Sequence, residues 1–212
     1  ETDSADRDAV IARVKDSGAL DVLVVNAGIG VFGDSLEQDP DAIDRLFRIN
    51  IHAPYHASVE AARQMPQGGR IIVIGSVNGD RMPVPGMSSY ALSKSALQGM
   101  ARGLARDFGS RGITINVVQP GPIDTDMAKD INLPKISPEA AAKAIVEGLA
   151  RGDEDILPDP MATQSSGFWA MTIGIPLVLQ ASVEPVEEGP TTGQDDALLM
   201  MSAASSGGVL SA

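Results

Sequence analysis

Apolar and polar residues recur with two alternating periods along the first 127 positions. Between residues 5 and 18, the segment ADRDAVIARVKDSG carries four apolar side chains at helical spacing, namely Ala9, Val10, Ala12 and Val14. The next segment, DVLVVNAG, is a short continuous apolar run that stops at Asn and Gly. Such runs are typical of a parallel strand buried on both faces. The pattern predicts a helix that ends at Gly18, followed by a strand.

A long helix is predicted after this strand. Asp39 and Pro40 form a helix-start signal, with Asp at the N-cap and Pro at the first helical position. The periodicity extends to about Met65. Because a proline inside a helix removes a backbone donor, we expect a bend near Pro54.

Two further strands and another helix complete the alternation. RIIVIGS (70–76) and ITINVVQPG (113–121) are both short apolar runs. Between them a helix is predicted from about residue 88 to Phe108, with Gly109 as its stop signal. Strands that alternate with helices indicate an α/β fold with a parallel sheet and right-handed crossovers.

The pattern changes beyond residue 127. SPEAAAKAIVEGLARG (137–152) predicts a helix with a Ser-Pro-Glu start, and DEDILPDPMA is expected to be a loop. Residues 164–212 have no clear periodicity, and their acidic and small-residue segments are typical of a flexible tail.

Composition narrows the class of protein. The 212 residues include 28 acids and 16 bases, a net charge of −12, so nucleic acid and anionic membranes are not expected as partners. The chain has no cysteine, which excludes disulfides and thiolate chemistry. The first residues show no signal peptide, and the apolar stretch 167–179 is too short to span a membrane. A cytoplasmic location is expected.

Tyr90 and Lys94 are four positions apart on the predicted 88–108 helix, so they share a face. A lysine ammonium beside a phenol favours the phenolate, which would make Tyr90 useful in proton transfer. A solvated helix face has the same spacing. The pair alone therefore leaves both interpretations open.

The ends of the predicted strands carry the other candidate residues. In open parallel sheets, ligands bind outside the carboxyl ends of the strands. Those ends are Asn26-Ala27-Gly28, Gly75-Ser76 and the segment from Pro120 to Thr125. The glycines allow the backbone to approach a flat ligand closely.

Asn-Ala-Gly after a strand, Asn50 on the next helix, Ser76, Tyr90 with Lys94, and Pro120-Gly121 together resemble the short-chain dehydrogenase/reductase family in order and spacing. The resemblance implies an incomplete doubly wound, Rossmann-like parallel sheet with helices on both faces. It also implies a partial domain over residues 1–163, with 164–212 unassigned.

The resemblance implies four catalytic residues. Tyr90 would donate a proton to a carbonyl oxygen as hydride arrives, or remove one in the reverse direction. Ser76 would hydrogen-bond the same oxygen. Lys94 would hold the nicotinamide ribose and lower the pKa of Tyr90, and Asn50 would support a water-mediated proton path.

The same resemblance implies contacts to a bound NADP or NAD. Asp3 would approach the adenine, and the adenosine side would be lined by Asn26, Ala27 and Gly28. The nicotinamide carboxamide would be flanked by Pro120, Gly121, Ile123 and Thr125.

The sequence departs from the family pattern at its start. No Gly-x-x-x-Gly-x-Gly turn precedes TDSADRD, although the family uses this turn to hold the pyrophosphate. We therefore expect weakened cofactor binding, and we expect DVLVVNA to form an exposed edge strand.

The interpretation that follows is an NAD(P)-dependent oxidoreductase acting on a small carbonyl or alcohol, as a homo-oligomer. Within the family, residues 1–127 resemble most closely the bacterial cyclic-di-GMP-binding biofilm dispersal mediators. A non-catalytic cyclic-di-GMP-binding protein and an inactive truncated remnant therefore remain alternatives. His52, His56 and Glu60 have metal-site spacing on one helix, but no metal is expected because the family pattern accounts for that helix.

Overall fold

The computed structural model describes residues 2–82, 84–153 and 155–164, all within one compact unit. Helices and strands alternate in this part of the chain: α1 (Arg7–Asp16), β1 (Val22–Val25), α2 (Pro40–Phe47), α3 (Ala53–Gln64), β2 (Arg70–Ile74), α4 (Ser88–Phe108), β3 (Thr114–Val118), α5 (Pro138–Arg151) and β4 (Asp155–Ile156). The predicted flexible tail lies outside the described residues, apart from residue 164.

The four strands form one parallel sheet in the order β1-β2-β3-β4. This confirms the α/β class predicted from the alternating pattern. Consecutive strands that are parallel neighbours need a crossover, and the intervening helices provide it. The carboxyl ends of all four strands therefore lie at one edge of the sheet.

Side chains alternate between the two faces of the sheet, and helices cover both. On one face Ile71, Val73 and Val117 pack with apolar residues of α1, α3 and α4. On the other face Ile72 and Val118 pack with α5 and with Ile156 of β4. The prediction of helices on both faces is confirmed.

Strand β1 lies at the edge of the described sheet, as the sequence predicted. Its residues Leu23 and Val25 pack against the larger core, whereas Val22 and Val24 are 50% and 55% exposed on the opposite face. Exposed β-branched residues on an edge strand favour association with other chains or segments.

Side-chain caps set where three of the helices begin. Asp39 accepts a hydrogen bond from the backbone N–H of Asp41, and Ser137 accepts one from that of Ala140. Both caps were predicted from the sequence. Asp6 caps α1 in the same way, because its carboxylate accepts from the N–H groups of Asp8 and Ala9.

The helix predicted over 39–65 is interrupted. A π-helical turn at Arg48–His52 separates α2 from α3, close to the predicted bend. Pro54 has no N–H to donate to the carbonyl of residue 50, which removes one regular helical hydrogen bond at this place. Such π-turns are frequent at functional sites, and this one contains Asn50.

The loop prediction for DEDILPDPMA was wrong in part. Strand β4 pairs with β3 through Val117 with Asp155 and Val118 with Ile156, and a helical turn begins at residue 160. A two-residue strand carries no recognisable period, so only the pairing reveals it.

Among the described residues, no helix is both long enough and apolar enough to cross a membrane.

Candidate functional site

Ser76, a candidate catalytic residue, follows strand β2. The residues on either side of it bond to the end of β3. Gly75 donates its N–H to the carbonyl of Val118 at 2.7 Å, and Val77 donates to Pro120 at 3.1 Å. A Cβ on Gly75 would lie 2.8 Å from the Val117 side chain, so a residue with a side chain would force the strands apart. The sequence Gly-Ser thus places the Ser76 hydroxyl at the carboxyl edge of the sheet.

Tyr90 and Lys94 do not form a solvated helix face. Both lie in the first turns of α4 and are buried, at 9% and 6% exposure. The Lys94 ammonium lies 5.8 Å from the centroid of the Tyr90 ring and donates a hydrogen bond to the carbonyl of Ile74 at 2.9 Å. The pair therefore faces the end of β2, beside Ser76.

The electrostatics of Tyr90 differ from the sequence expectation. Burial raises the pKa of the Tyr90 phenol, and a hydrogen bond with the Ser76 side chain works in the opposite direction without reversing it. The expected lowering of this pKa by Lys94 was therefore wrong for the protein as described. The physical reason is that removing the phenolate from water outweighs what its neighbours contribute.

Lys94 is itself affected by burial. Loss of hydration lowers the pKa of its ammonium from 10.5 to about 8. A lysine in this state gains proton affinity when an anionic or strongly polar ligand arrives next to it. An anionic ligand at the sheet edge would therefore raise the pKa of Lys94 again.

Asn50 links the turn after β1 to helix α4. Its Oδ1 accepts from the Ile29 N–H at 2.9 Å, while its Nδ2 donates to the Ile29 carbonyl at 2.9 Å and to Ser93 Oγ at 3.0 Å. Sequence reasoning identified Asn50 but missed Ser93. The only available signal was that Ser93 is one turn from Tyr90 on the same helix.

The glycine of the Asn-Ala-Gly turn leaves a gap between two candidate residues. A Cβ built on Gly28 would lie 3.4 Å from Asn50 Oδ1 and 3.5 Å from Lys94 Nζ. These are ordinary contact distances, so the space above Gly28 is open to a ligand atom that would touch both side chains.

A cavity of about 660 Å³ extends from this turn toward the start of the chain. It is lined by Thr2, Asp3, Ser4, Ala27, Gly28, Ile29, Arg45 and Ile49. The Asp3 carboxylate accepts from the Ala5 N–H at 2.9 Å and lies 3.8 Å from the Arg45 guanidinium. Three of the predicted adenosine-side residues therefore meet here, whereas Asn26 is exposed and outside the lining. The volume is in the range of small-molecule sites.

The 120–125 loop is anchored by a residue that sequence reasoning missed. Asp159, buried at 6% exposure, accepts from the Gly121 N–H at 2.7 Å and from the Ala162 N–H at 2.9 Å. Asp159-Pro160 is the same helix-start pattern as Asp39-Pro40, and Asp159 caps the turn that begins at residue 160, but no local pattern marks its bond to Gly121, 38 residues away.

The rest of this loop contacts the segment before α5 and one of its own side chains. Ile123 pairs with Ile136 in an isolated parallel bridge. Thr125 is exposed, and its hydroxyl donates to the Ile123 carbonyl at 3.4 Å. Pro120 is buried at the end of β3.

An aromatic side chain lies against Tyr90. The Phe32 ring is 5.6 Å from the Tyr90 ring and tilted by 59°, and Phe32 is 52% exposed. Its loop is joined to the loop before α4 by a Gly33 N–H to Gly86 carbonyl bond at 2.8 Å. The approach to the Tyr90 hydroxyl therefore has an apolar wall.

The described residues contain no cluster of three or more metal-ligating side chains. Of the weighed candidates, Glu60 is paired with Arg63 at 3.1 Å. The His56 ring packs edge-on against Tyr55 at 5.4 Å.

Ser76, Tyr90 and Lys94 thus lie together at the carboxyl edge of a parallel α/β sheet. Residues 1–136 match the model of the short chain dehydrogenase family. The chain belongs to the short-chain dehydrogenase/reductase family.

Several relatives have established names. The chain is 84% identical over 125 residues to the cyclic-di-GMP-binding biofilm dispersal mediator protein of Escherichia coli, covering 59% of this chain and 53% of that protein. It is 38% identical over 114 residues to a trihydroxynaphthalene reductase of Colletotrichum orbiculare, covering 54% of this chain and 40% of that enzyme. The chain thus spans about half the length of these relatives, or less.

Solved structures that resemble this chain also include members of the short-chain dehydrogenase/reductase family. A crystal structure of BdcA in complex with NADPH is similar with a TM-score of 0.61 and 63% identity, covering 82% of this chain and 66% of that one. A short chain dehydrogenase from Burkholderia cenocepacia in complex with NADP has a TM-score of 0.71 and 37% identity, covering 77% and 75%.

Proposed function

We propose that the protein is an NADP(H)- or NAD(H)-dependent oxidoreductase that reduces a carbonyl or oxidises an alcohol. The observation that carries the proposal is the convergence of Ser76, Tyr90 and buried Lys94 at one edge of the parallel sheet. The NADPH and NADP bound to two structural relatives support the choice of cofactor.

The residues present fit the adenosine and ribose parts of such a cofactor. The 660 Å³ cavity beside Gly28 has room for an adenosine, and Asp3 offers an acceptor for its amino group. Lys94 and Tyr90 would hold the nicotinamide ribose from α4. The pyrophosphate of such a cofactor is usually held by a glycine-rich turn that leads into a helix, and the described residues contain no turn of this kind.

Tyr90, Ser76 and Asn50 have different roles in the proposed reaction. The bound nicotinamide supplies or accepts the hydride. Tyr90 donates its phenolic proton to the carbonyl oxygen, and its raised pKa keeps that proton in place at neutral pH. Ser76 hydrogen-bonds the same oxygen and stabilises its developing charge. Asn50 orients the Gly28 turn and helix α4 relative to each other.

The substrate is expected to have an apolar or aromatic body. Phe32 lies against the Tyr90 ring and is 52% exposed, and its loop is joined to the loop that precedes α4 by the Gly33–Gly86 bond. Ring stacking on Phe32 would orient a planar ketone with its oxygen toward Tyr90 and Ser76.

The test is hydride transfer. NADPH or NADH oxidation is followed by absorbance with a panel of aromatic and aliphatic ketones, with cofactor raised to millimolar concentrations so that the predicted weak binding would not hide turnover. Turnover that depends on Tyr90 supports the proposal. Absence of turnover with every ketone and both cofactors, from a protein whose circular dichroism is that of a folded α/β domain, contradicts it.

A second candidate function is binding of cyclic-di-GMP, supported by the name of the 84% identical relative. An open cavity of about 440 Å³ is lined by Arg7, Arg45 and Arg48 together with Asp3, Asp6 and Asp8. Guanidinium groups suit phosphodiesters, but Arg7 is paired with Asp8 and Arg45 with Asp3, so the ligand would have to compete with these carboxylates. Equilibrium binding of labelled cyclic-di-GMP tests this. Binding that survives Tyr90→Phe and is weakened by Arg48→Gln would support a separate nucleotide-binding role, and no binding would leave the oxidoreductase as the candidate.

A further inference from the structure

Ser93 is the middle residue of a series of hydrogen bonds that connects Ile29 to the backbone of Tyr90. It is fully buried in helix α4, and its Oγ receives a hydrogen bond from Asn50 Nδ2 at 3.0 Å. The same oxygen donates to the Tyr90 carbonyl at 2.7 Å. The series therefore runs from Ile29 through Asn50 and Ser93 to the backbone of Tyr90.

Donor and acceptor counts allow one arrangement of protons. Because Asn50 Oδ1 accepts from the Ile29 N–H, the amide nitrogen must be the donor in both remaining bonds. Ser93 Oγ is then the acceptor for Asn50, and its single proton goes to the Tyr90 carbonyl. Both protons of the Asn50 amide are used, so loss of the Ser93 hydroxyl leaves a buried donor without a partner.

We propose that Ser93 is a positioning residue, which fixes Asn50 and thereby the distance between the Gly28 turn and the Tyr90 and Lys94 side chains. The inference rests on the proposed oxidoreductase function for its kinetic consequence only. Ser93 itself touches neither substrate nor cofactor in this scheme. It acts through Asn50, whose Oδ1 lies 3.4 Å from the position of a Cβ on Gly28.

The protein offers a matched control for the Ser93→Ala variant. Ser58, on the neighbouring helix α3, is also fully buried, and its Oγ has no hydrogen-bond partner in the described part of the protein. Ser58→Ala thus removes a hydroxyl of the same size and burial without breaking a bond. It controls for the general effect of a serine-to-alanine change in the core.

The kinetic test compares the two variants. Ser93→Ala removes the bond accepted from Asn50 and the bond donated to the Tyr90 carbonyl. The loss of the first, which positions Asn50, is expected to lower kcat about three- to thirtyfold, with KM for the ketone unchanged. Ser58→Ala is expected to keep the kcat of the parent. In the Asn50→Ala background, Ser93→Ala should cause little further loss, because the two residues act as one unit. An undiminished further loss in that background would overturn the proposal.

A spectroscopic readout separates this inference from the proposed function. In ¹H–¹⁵N spectra, the side-chain NH₂ signals of Asn50 should shift and the Ile29 amide should exchange faster in Ser93→Ala but not in Ser58→Ala. If no ketone is turned over, the proposed function fails while these signals still decide the role of Ser93. Unchanged Asn50 signals and Ile29 exchange in Ser93→Ala would refute the positioning role.

Discussion

The ammonium of Lys94 donates a hydrogen bond to the carbonyl of Ile74 at 2.9 Å, from helix α4 to the last residue of strand β2. This contact joins the helix that carries Tyr90 to the strand that leads to Ser76. It also keeps a cationic group 94% buried with a neutral partner, which explains why burial dominates its proton affinity.

Lys94 should make the stability of the protein depend on pH. Its pKa falls from 10.5 to about 8 on folding, so the unfolded chain binds more protons between these values. The free energy of unfolding therefore rises with pH across this window, by on the order of 3 kcal/mol. Urea unfolding of the parent and of Lys94→Met at pH 7 to 10 measures the difference. The exposed Lys15→Met should follow the parent, and a pH-independent gap between parent and Lys94→Met would contradict this prediction.

Tyr90→Phe should abolish turnover and leave the fold intact. The change removes the proposed proton donor, and positioned acid catalysis contributes about 10²- to 10⁴-fold. The chain has one other tyrosine, Tyr55, which is 46% exposed on α3 and serves as the matched control. Ketone reduction is measured for both variants beside their thermal melts. Turnover by Tyr90→Phe within tenfold of the parent would remove Tyr90 from the mechanism.

Gly28→Ala should separate folding from cofactor binding. The added Cβ would meet Asn50 and Lys94 only at contact distances, so the melting temperature should stay close to that of the parent. The methyl group would fill the space beside Gly28 where the cofactor is proposed to lie, and we expect at least tenfold weaker NADPH binding by fluorescence titration. Gly99→Ala, whose Cβ meets nothing within 4 Å, is the control. Equal NADPH affinity in the two variants would place the cofactor elsewhere.

Asp159→Asn should loosen the 120–125 loop. The carboxylate accepts from two backbone N–H groups, and an amide offers only one acceptor oxygen, which leaves one buried donor unpaired. The expected loss is about 1–3 kcal/mol of unfolding free energy, together with a higher KM for the cofactor. The exposed Asp130→Asn should change neither quantity. Wild-type stability of Asp159→Asn in urea would show that this anchor is dispensable.

The predicted homo-oligomer should depend on the α3 and α4 helices. Leu92 on α4 and Tyr55 on α3 are 55% and 46% exposed, which favours their burial between subunits. Leu92→Glu should therefore lower the mass measured by light scattering to that of a monomer. Val146→Glu on α5, where the valine is 65% exposed, provides the comparison. A monomeric parent at all concentrations would refute the assembly, and equal effects of the two variants would refute the interface.

The sequence by itself determined the order of helices and strands up to β3 and the candidate residues Ser76, Tyr90 and Lys94. Helix α4 was predicted over 88–108 and is observed at Ser88–Phe108, because its period is a local signal. The predicted stop at Gly109 was wrong in detail, since Gly109 is right-handed and a 3-10 turn continues to Gly112, which has the left-handed conformation at φ 65°. The positions of Ser76, Tyr90 and Lys94 also followed from motifs within short segments. The parallel sheet followed from the alternation of strands and helices, since each crossover is constrained by chain geometry.

The tertiary structure alone decided how these residues behave. The pKa of Tyr90 is raised and that of Lys94 is lowered because of everything packed around them, and no segment of sequence contains that information. Strand β4 exists through its pairing with β3, and Asp159 and Ser93 acquire their roles from partners 38 and 43 residues away. Desolvation and hydrogen bonding between distant segments depend on three-dimensional proximity, which the periodicity of a sequence does not encode.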